Sequence, residues 1–152
     1  MAVISAMDSL NPIAARIVDL VKGTVLISDL FGRRLGGVNH EVRIRALSGM
    51  GKNPNVGAVL VVSLHRTSAL TVAEPLAASG VDVEIVAFQE LGSSLKAIEQ
   101  GARIAVKMVK NVRLKVDSGS QFQALTLGWN VEVPIFRAEF SATPRSVTRR
   151  TA

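Results

Sequence analysis

The chain has 152 residues, of which 48% are hydrophobic, and it contains no cysteine. This length and composition fit one domain with a sizeable core, and the absence of cysteine excludes disulfides and thiolate-bound zinc or iron–sulfur clusters. The net charge of +6 is spread along the chain, and one tryptophan with no tyrosine offers little for base stacking, so the composition does not favour nucleic acid as a partner.

The apolar stretches are short, and the N-terminus lacks a targeting pattern. The run VGAVLVVSL at 56–64 is far shorter than the roughly 20 residues that a membrane helix needs. No basic region precedes a hydrophobic segment at the N-terminus, as it would in a secretory signal. We therefore expect a cytoplasmic protein that makes no contact with a membrane.

The N-terminal part alternates between strand and helix. The apolar run AVISA predicts a first strand at 2–6. Behind it, the pair Asn11 and Pro12 is typical of a helix start, with Asn11 as the N-cap. A second strand is predicted at 24–29, and a glycine-rich segment then leads into a helix over about 40–50.

The second half continues this alternation. A continuous β-branched run predicts a central third strand at 57–64, covered on both faces. The helix at 68–79 contains Pro75, which is predicted to kink or shorten it. A fourth strand at 82–88 and a long amphipathic helix at 93–112 complete the pattern. The alternation predicts a single α/β domain with three α/β/α layers and a Rossmann-like parallel sheet.

Polar side chains follow the predicted strands. In parallel sheets ligands bind outside the carboxyl ends of the strands, and helix N-termini at that edge favour anions. The sequence therefore predicts a pocket for a carboxylate or phosphate. Its candidate residues are Ser9, Asn11, Arg33, Arg34, His65, Arg66, Gln89, Ser93 and Ser94.

A plainer interpretation stays open, in which Asn11, Ser68 and Ser93 only cap helices and the arginines are solvated. The convergence of these residues on one edge is what favours a site. No G-x-G-x-x-G opens the first turn and no G-x-x-x-x-G-K-[ST] occurs, so the phosphate cradles of dinucleotide-binding and P-loop proteins are missing. The spacing of His40 and His65 does not assign them as metal ligands, and no metal site is predicted.

Three segments carry a family resemblance: NHEVRIRALSGMGKNPNVGAVLVVSL, VEIVAFQELGSSLKAIEQGARIA and ALTLGWN. The residues of these segments, and the order and spacing of the segments, resemble the middle Rossmann-like domain of the altronate and galactarate dehydratase family. This family includes the large subunit of sulfolactate lyase. The resemblance spans residues 1–130. It implies removal of water from a sugar acid, in which a general base abstracts the proton alpha to the carboxylate. In the full-length family a divalent metal, iron or similar, helps to expel the hydroxyl.

The resemblance also bears on individual site residues. Positions that keep the family pattern are Asn11, Gly32, His40 and Glu41. Cysteines of the family are replaced by Ser9, Arg33 and Arg66, and a glycine-threonine turn is replaced by Ser93 and Ser94. His40 and Glu41 therefore join the candidate substrate-binding residues, while no catalytic residue is carried over.

In the last segment, 131–152, the apolar residues do not recur with the period of a helix or a strand. In the family, LGWN is followed by C-G-G-S-D and a glycine-rich stretch. If the codons for 131–152 are read in a frame shifted by one base, they can encode the amino-acid sequence CGGSDISGGIFGNPAVGDAAD. This sequence follows the family pattern. We therefore expect a Rossmann-like domain at 1–130 and an out-of-frame tail at 131–152, caused by one base lost after the codon of Asn130. The gene sequence downstream of that codon tests this expectation.

Together these patterns predict a truncated domain of a sugar-acid dehydratase, a hydro-lyase for altronate- or galactarate-like hydroxy acids, that is inactive alone. No cofactor is expected in this chain itself. The expected partners are a small carboxylate or sugar acid and further copies of the chain, because a domain separated from its neighbours exposes apolar surface. Two alternatives stay open: a non-catalytic anion-binding or oligomerisation domain, and a phosphate-binding module unrelated to the dehydratases.

Overall fold

A computed structural model of the protein describes residues 1–30 and 36–117. The strands are β1 (Ala2–Ser5), β2 (Val25–Ile27), β3 (Ala58–Ser63) and β4 (Asp82–Ala87). The helices are α1 (Asn11–Leu20), α2 (Val38–Gly51), α3 (Arg66–Ala77), α4 (Phe88–Leu91) and α5 (Ser94–Asp117), and a 3-10 turn at Asp8–Leu10 precedes α1. Within these residues no helix has the length and apolar character of a membrane span.

The four strands form one parallel sheet in the order β2-β1-β3-β4. Val3 of β1 lies beside Leu26 of β2 and Leu60 of β3, and Val59 of β3 lies beside Val83 of β4. The predicted α/β domain with a parallel sheet is confirmed. β2 is shorter than the predicted strand at 24–29, because it is an edge strand that pairs only with the four residues of β1.

Helices cover both faces of the sheet. On one face Val3, Leu60 and Val86 pack in a core with residues of α1 and α5. On the other face Ile4 and Val59 pack with residues of α2 and α3. Every residue of β3 is buried, which explains why its sequence shows no alternation between apolar and polar residues. The three layers predicted from the sequence are therefore present.

The start of α1 differs from the prediction, because Asn11 is not its N-cap. The preceding 3-10 turn runs directly into the helix, so Leu10 occupies the N-cap position and Asn11 is already helical. The side chain of Asn11 instead donates a hydrogen bond from Nδ2 to the backbone oxygen of Asp29, at 2.8 Å. The local sequence could not reveal this acceptor, which lies in the segment behind β2.

The structure also shows where α3 ends relative to Pro75 and how the chain continues after β4. Pro75 lies inside α3, which spans 12 residues from Arg66 to Ala77, so the helix is displaced by two residues from the predicted 68–79 and is not shortened. At this position the missing N–H of proline affects only the last turn. The single turn α4 was not predicted, because the sequence pattern places Phe88 in the strand and the residues after it in a loop.

Close packing of α1 on α5 leads to a first prediction. A Cβ atom on Gly101 would lie 2.3 Å from Cδ1 and 3.0 Å from Cγ1 of Ile17, whose side chain is fully buried. We expect Gly101→Ala to destabilise the protein by about 1–2 kcal/mol, because overpacking outweighs the better helix propensity of alanine.

Gly49→Ala in α2 is the matched control, because no atom lies within 4 Å of its added Cβ. This change is expected to leave stability equal or higher by up to about 1 kcal/mol. Urea unfolding of both variants at low protein concentration measures the difference. Equal effects of the two substitutions would contradict the predicted close contact between the helices.

Candidate functional site

A cavity of about 460 Å³ lies at the carboxyl edge of the sheet. From β1 the chain continues to β2 and from β3 to β4, so it leaves these two neighbouring strands in opposite directions along the sheet. Such a switch point is where open parallel sheets bind ligands. The cavity is lined by Ala6, Met7, His40, Arg43, Leu64, His65, Ser68, Thr71 and Gln89.

The N-terminus of α3 borders this cavity. His65 is its N-cap residue, with an extended backbone (φ −115°, ψ 148°) and no capping hydrogen bond from a side chain. Ser68 lies in the first turn, and Thr71 follows it and donates from Oγ1 to the backbone oxygen of Ser68 at 2.9 Å. The first amides of a helix have no partners within the helix and carry a partial positive charge, so this end suits an anionic group.

The first turn of α2 brings His40 to the cavity. Gly37 is the N-cap residue of this helix and has a φ of 57°, a conformation that favours glycine. The backbone N–H of His40 donates to the oxygen of Gly37 at 3.0 Å. The imidazole of His40 is half-buried at the cavity wall, where it can donate or accept a hydrogen bond.

A buried network forms the wall between α2 and the strand ends. The side chain of Asp29 is 5% exposed and that of Arg43 is 13% exposed. Arg43 donates from Nε to Oδ2 of Asp29 and from Nη2 to the backbone oxygen of Ala6. Asn11 donates to the backbone oxygen of Asp29. The network therefore joins the segments behind β1 and β2 to α2, and we call it the Asp29–Arg43 clamp.

The clamp was not predicted from the sequence. The apolar pattern places Asp29 in the second strand and Arg43 in a helix, and it indicates no role for either residue. A usable signal exists in α2, because Arg43 precedes the buried residues Leu47 and Gly51 by one and two helical turns. An arginine on the inward face of a helix needs a buried partner.

Two buried polar atoms near this edge, Oδ1 of Asn11 and Oγ of Ser63, have no hydrogen-bond partner within the described part of the chain. Ser63 ends β3 and is fully buried. Asn11 stands behind β1, next to the clamp. Since buried polar atoms are normally paired, both atoms mark the carboxyl ends of β1 and β3 as places with spare hydrogen-bonding capacity.

The predicted site residues divide into two groups in the structure. His40, His65 and Gln89 meet in the cavity. Of the other predicted residues, those that are described do not line the cavity and hold separate positions. Arg66 is exposed and forms an ion pair with Glu90 at 3.8 Å. Asn11 belongs to the clamp, Ser9 and Glu41 are exposed, Ser93 and Ser94 stand at the start of α5, and Arg33 and Arg34 lie outside the described residues.

The donor set of the cavity does not fit a resident metal ion. Across residues 1–30 and 36–117, no three side chains of His, Cys, Asp or Glu come together as a metal-binding group. Catalytic zinc normally takes three such protein ligands, and magnesium is usually bound through one or two carboxylates, none of which is among the described lining residues of the cavity. The divalent metal of the family therefore stays a prediction.

Comparison with known proteins gives two matches. The model for the second domain of the D-galactarate dehydratase/altronate hydrolase family matches residues 1–113. The (2R)-sulfolactate sulfo-lyase subunit beta of Chromohalobacter salexigens is 32% identical over 77 residues, which cover 51% of this chain and 20% of that protein. The match thus spans about a fifth of the length of this relative. No solved structure matches the chain.

Proposed function

The chain belongs to the D-galactarate dehydratase/altronate hydrolase family, whose second domain it contains at residues 1–113, and we propose on this premise that it binds the carboxylate end of a hydroxy-acid substrate. Sugar acids such as galactarate and altronate, and the smaller acid sulfolactate, are the substrate class we propose. The cavity at the switch point between β1 and β3 is the observation that carries the proposal.

The composition of the cavity supports this substrate class. The N-terminus of α3 offers backbone N–H groups to a carboxylate, and His65 stands beside it as the N-cap residue. Hydroxyls on the neighbouring carbons of the acid need partners that both donate and accept, and the side chains of Ser68 and Gln89 provide them. A volume of about 460 Å³ lies within the range of small-molecule sites.

The chain's own residues hold and orient the acid in this proposal. For galactarate or altronate the family reaction removes the proton alpha to the carboxylate and expels a hydroxyl from the next carbon, and for sulfolactate the group expelled from that carbon would be sulfite. The leaving hydroxyl needs a proton or an electrophile, and the cavity contains no carboxylic acid and no set of three metal donors among its described residues. We therefore propose that this chain alone binds the substrate without turning it over.

Binding of D-galactarate, measured by calorimetry or NMR titration, tests the proposal. We expect His65→Ala to weaken binding roughly tenfold, as expected for the loss of one hydrogen bond to a charged group. Gln89→Ala should weaken it by about two- to tenfold, because its hydrogen bonds are to neutral groups. Gln100→Ala is the matched control, since Gln100 is exposed on α5 and does not line the cavity.

Failure of the unmodified protein to bind any of the three acids would contradict the proposed function. Assays of the same preparation with iron, manganese or magnesium should yield no 2-keto product above blank. Product formation would show that the chain is an active lyase by itself. Binding without turnover is also what a non-catalytic anion-binding domain would give, and activity that appears after addition of the other domains of the family separates the two.

A further inference from the structure

The ionisable side chains of the cavity at the carboxyl edge are basic. His40, Arg43 and His65 line it, and its described lining residues include no aspartate or glutamate. His65 stands beside the N-terminus of α3, where the proposed carboxylate binds. His40 and Arg43 belong to α2, and a single carboxylate at α3 leaves both of them without a role in binding.

Arg43 has hydrogen-bonding capacity beyond the Asp29–Arg43 clamp. A guanidinium has five N–H donors. The clamp engages two of them, from Nε to Oδ2 of Asp29 and from Nη2 to the backbone oxygen of Ala6. The other three have no acceptor among the described residues. Since Arg43 lines the cavity, these donors are available to a ligand there.

The carboxylate that neutralises Arg43 lies away from the cavity. Asp29 borders a separate groove of about 420 Å³ between α2 and the segment behind β2, and it does not line the cavity at the carboxyl edge. Arg43 lines both, so its guanidinium stands between Asp29 and the cavity. Because electrostatic interactions weaken with distance, an anion in the cavity interacts more strongly with the guanidinium than with Asp29.

The basic side chains stand on two different walls of the cavity. Arg43 reaches from α2 to the backbone oxygen of Ala6 behind β1, and His65 follows β3 as the N-cap residue of α3. These strands are neighbours in the sheet, about 5 Å apart. We call His40 with Arg43 the α2 pole, and His65 with the N-terminus of α3 the α3 pole.

We propose that the cavity selects hydroxy acids with two anionic groups, one bound at each pole. This inference rests on the proposed function and narrows its substrate class, because galactarate and sulfolactate carry two anionic groups and altronate carries one. His40 and Arg43 then determine specificity through direct contact with the second anionic group. A guanidinium suits this role, since it stays protonated and its planar donors match a carboxylate.

D-Galactarate and D-galactonate are the matched pair of ligands that tests the proposal. They share the same carbon chain and the same hydroxyl configuration, and one terminal carboxylate of galactarate is a neutral hydroxymethyl group in galactonate. Calorimetric titration of the full chain with each acid measures the preference. We expect galactarate to bind roughly 10- to 100-fold more tightly, as expected for hydrogen bonds to one additional charged group.

Two histidine variants assign the poles. Galactonate is expected at the α3 pole, where helix amides add to His65. His40→Ala should therefore weaken galactarate about tenfold and change galactonate by less than about twofold, whereas His65→Ala should weaken both acids by similar factors. Asn39→Ala is the matched control, because Asn39 is exposed next to His40 and lines the groove on the other side of α2. It should change neither affinity.

The outcomes separate this inference from the proposed function. Galactonate binding by His40→Ala establishes that this variant is folded and that its α3 pole is intact. Equal affinities of the unmodified chain for the two acids overturn the inference and leave the proposed function standing. Equal weakening of both acids by His40→Ala also overturns it, because His40 then acts on the shape of the cavity and not on the second charge. Failure of both acids to bind overturns the proposed function and the inference together.

Discussion

Replacing Asp29 by alanine is expected to lower the free energy of unfolding by about 3 kcal/mol, at the lower end of the range for breaking a buried ion pair. The guanidinium of Arg43 would lose its carboxylate partner while remaining 13% exposed. The lower end applies because Arg43 also lines the cavity, where water can partly solvate it. The melting temperature should fall by on the order of 10 °C, as measured by thermal or urea unfolding.

Asp19→Ala is the matched control for this change. Asp19 is an exposed aspartate of α1, and its replacement should alter stability by less than about 0.5 kcal/mol. The double variant Asp29→Ala/Arg43→Met should lose less stability than Asp29→Ala alone, because removal of both charges leaves no uncompensated one. A loss below about 1 kcal/mol in the single variant would contradict a stabilising clamp.

The clamp also connects stability to the proposed site. Arg43 holds the backbone oxygen of Ala6 behind β1, and His40 stands one turn earlier on the same helix. We therefore expect Asp29→Ala to weaken galactarate binding even at temperatures at which the variant is fully folded. Hydrogen exchange at 38–43, measured without ligand, should increase independently of whether the acid binds.

Replacing Leu60 by alanine is expected to destabilise the protein by roughly 3–5 kcal/mol. Leu60 is fully buried in the central strand β3, and it packs with Val3 and Val86 of the neighbouring strands. Removal of three side-chain carbon atoms takes away buried apolar surface and leaves a cavity. The surrounding sheet and helices cannot fill this cavity, because strand pairing on both sides of β3 holds them apart.

Urea unfolding measures this loss as a lower transition midpoint. Leu95→Ala provides the control, because Leu95 is a leucine of α5 with 79% of its surface exposed. Its replacement should change stability by less than about 0.5 kcal/mol. Similar midpoints for the two variants would mean that Leu60 does not occupy the core that the structure assigns to it.

Several features of the protein could be derived from the sequence because they depend on neighbouring residues. The continuous apolar run of β3 predicted a strand covered on both faces, and all of its residues are buried. His65 and Gln89 were identified as edge residues because each follows a strand, and both line the cavity. The family resemblance is confirmed for residues 1–113. The predicted tail at 131–152 lies outside the described residues and stays a prediction.

Other features were decided only by the tertiary structure. Arg43 is separated from Asp29 by 14 residues and from Ala6 by 37, and no local pattern links residues at such distances. The side chain of Asn11 has the chemistry of an N-cap, yet an acceptor 18 residues away determined its hydrogen bond. A polar side chain is stabilised by whichever partner the fold brings within reach. The sequence therefore determined the order of strands and helices, and long-range contacts decided which side chains meet at the carboxyl edge of the sheet.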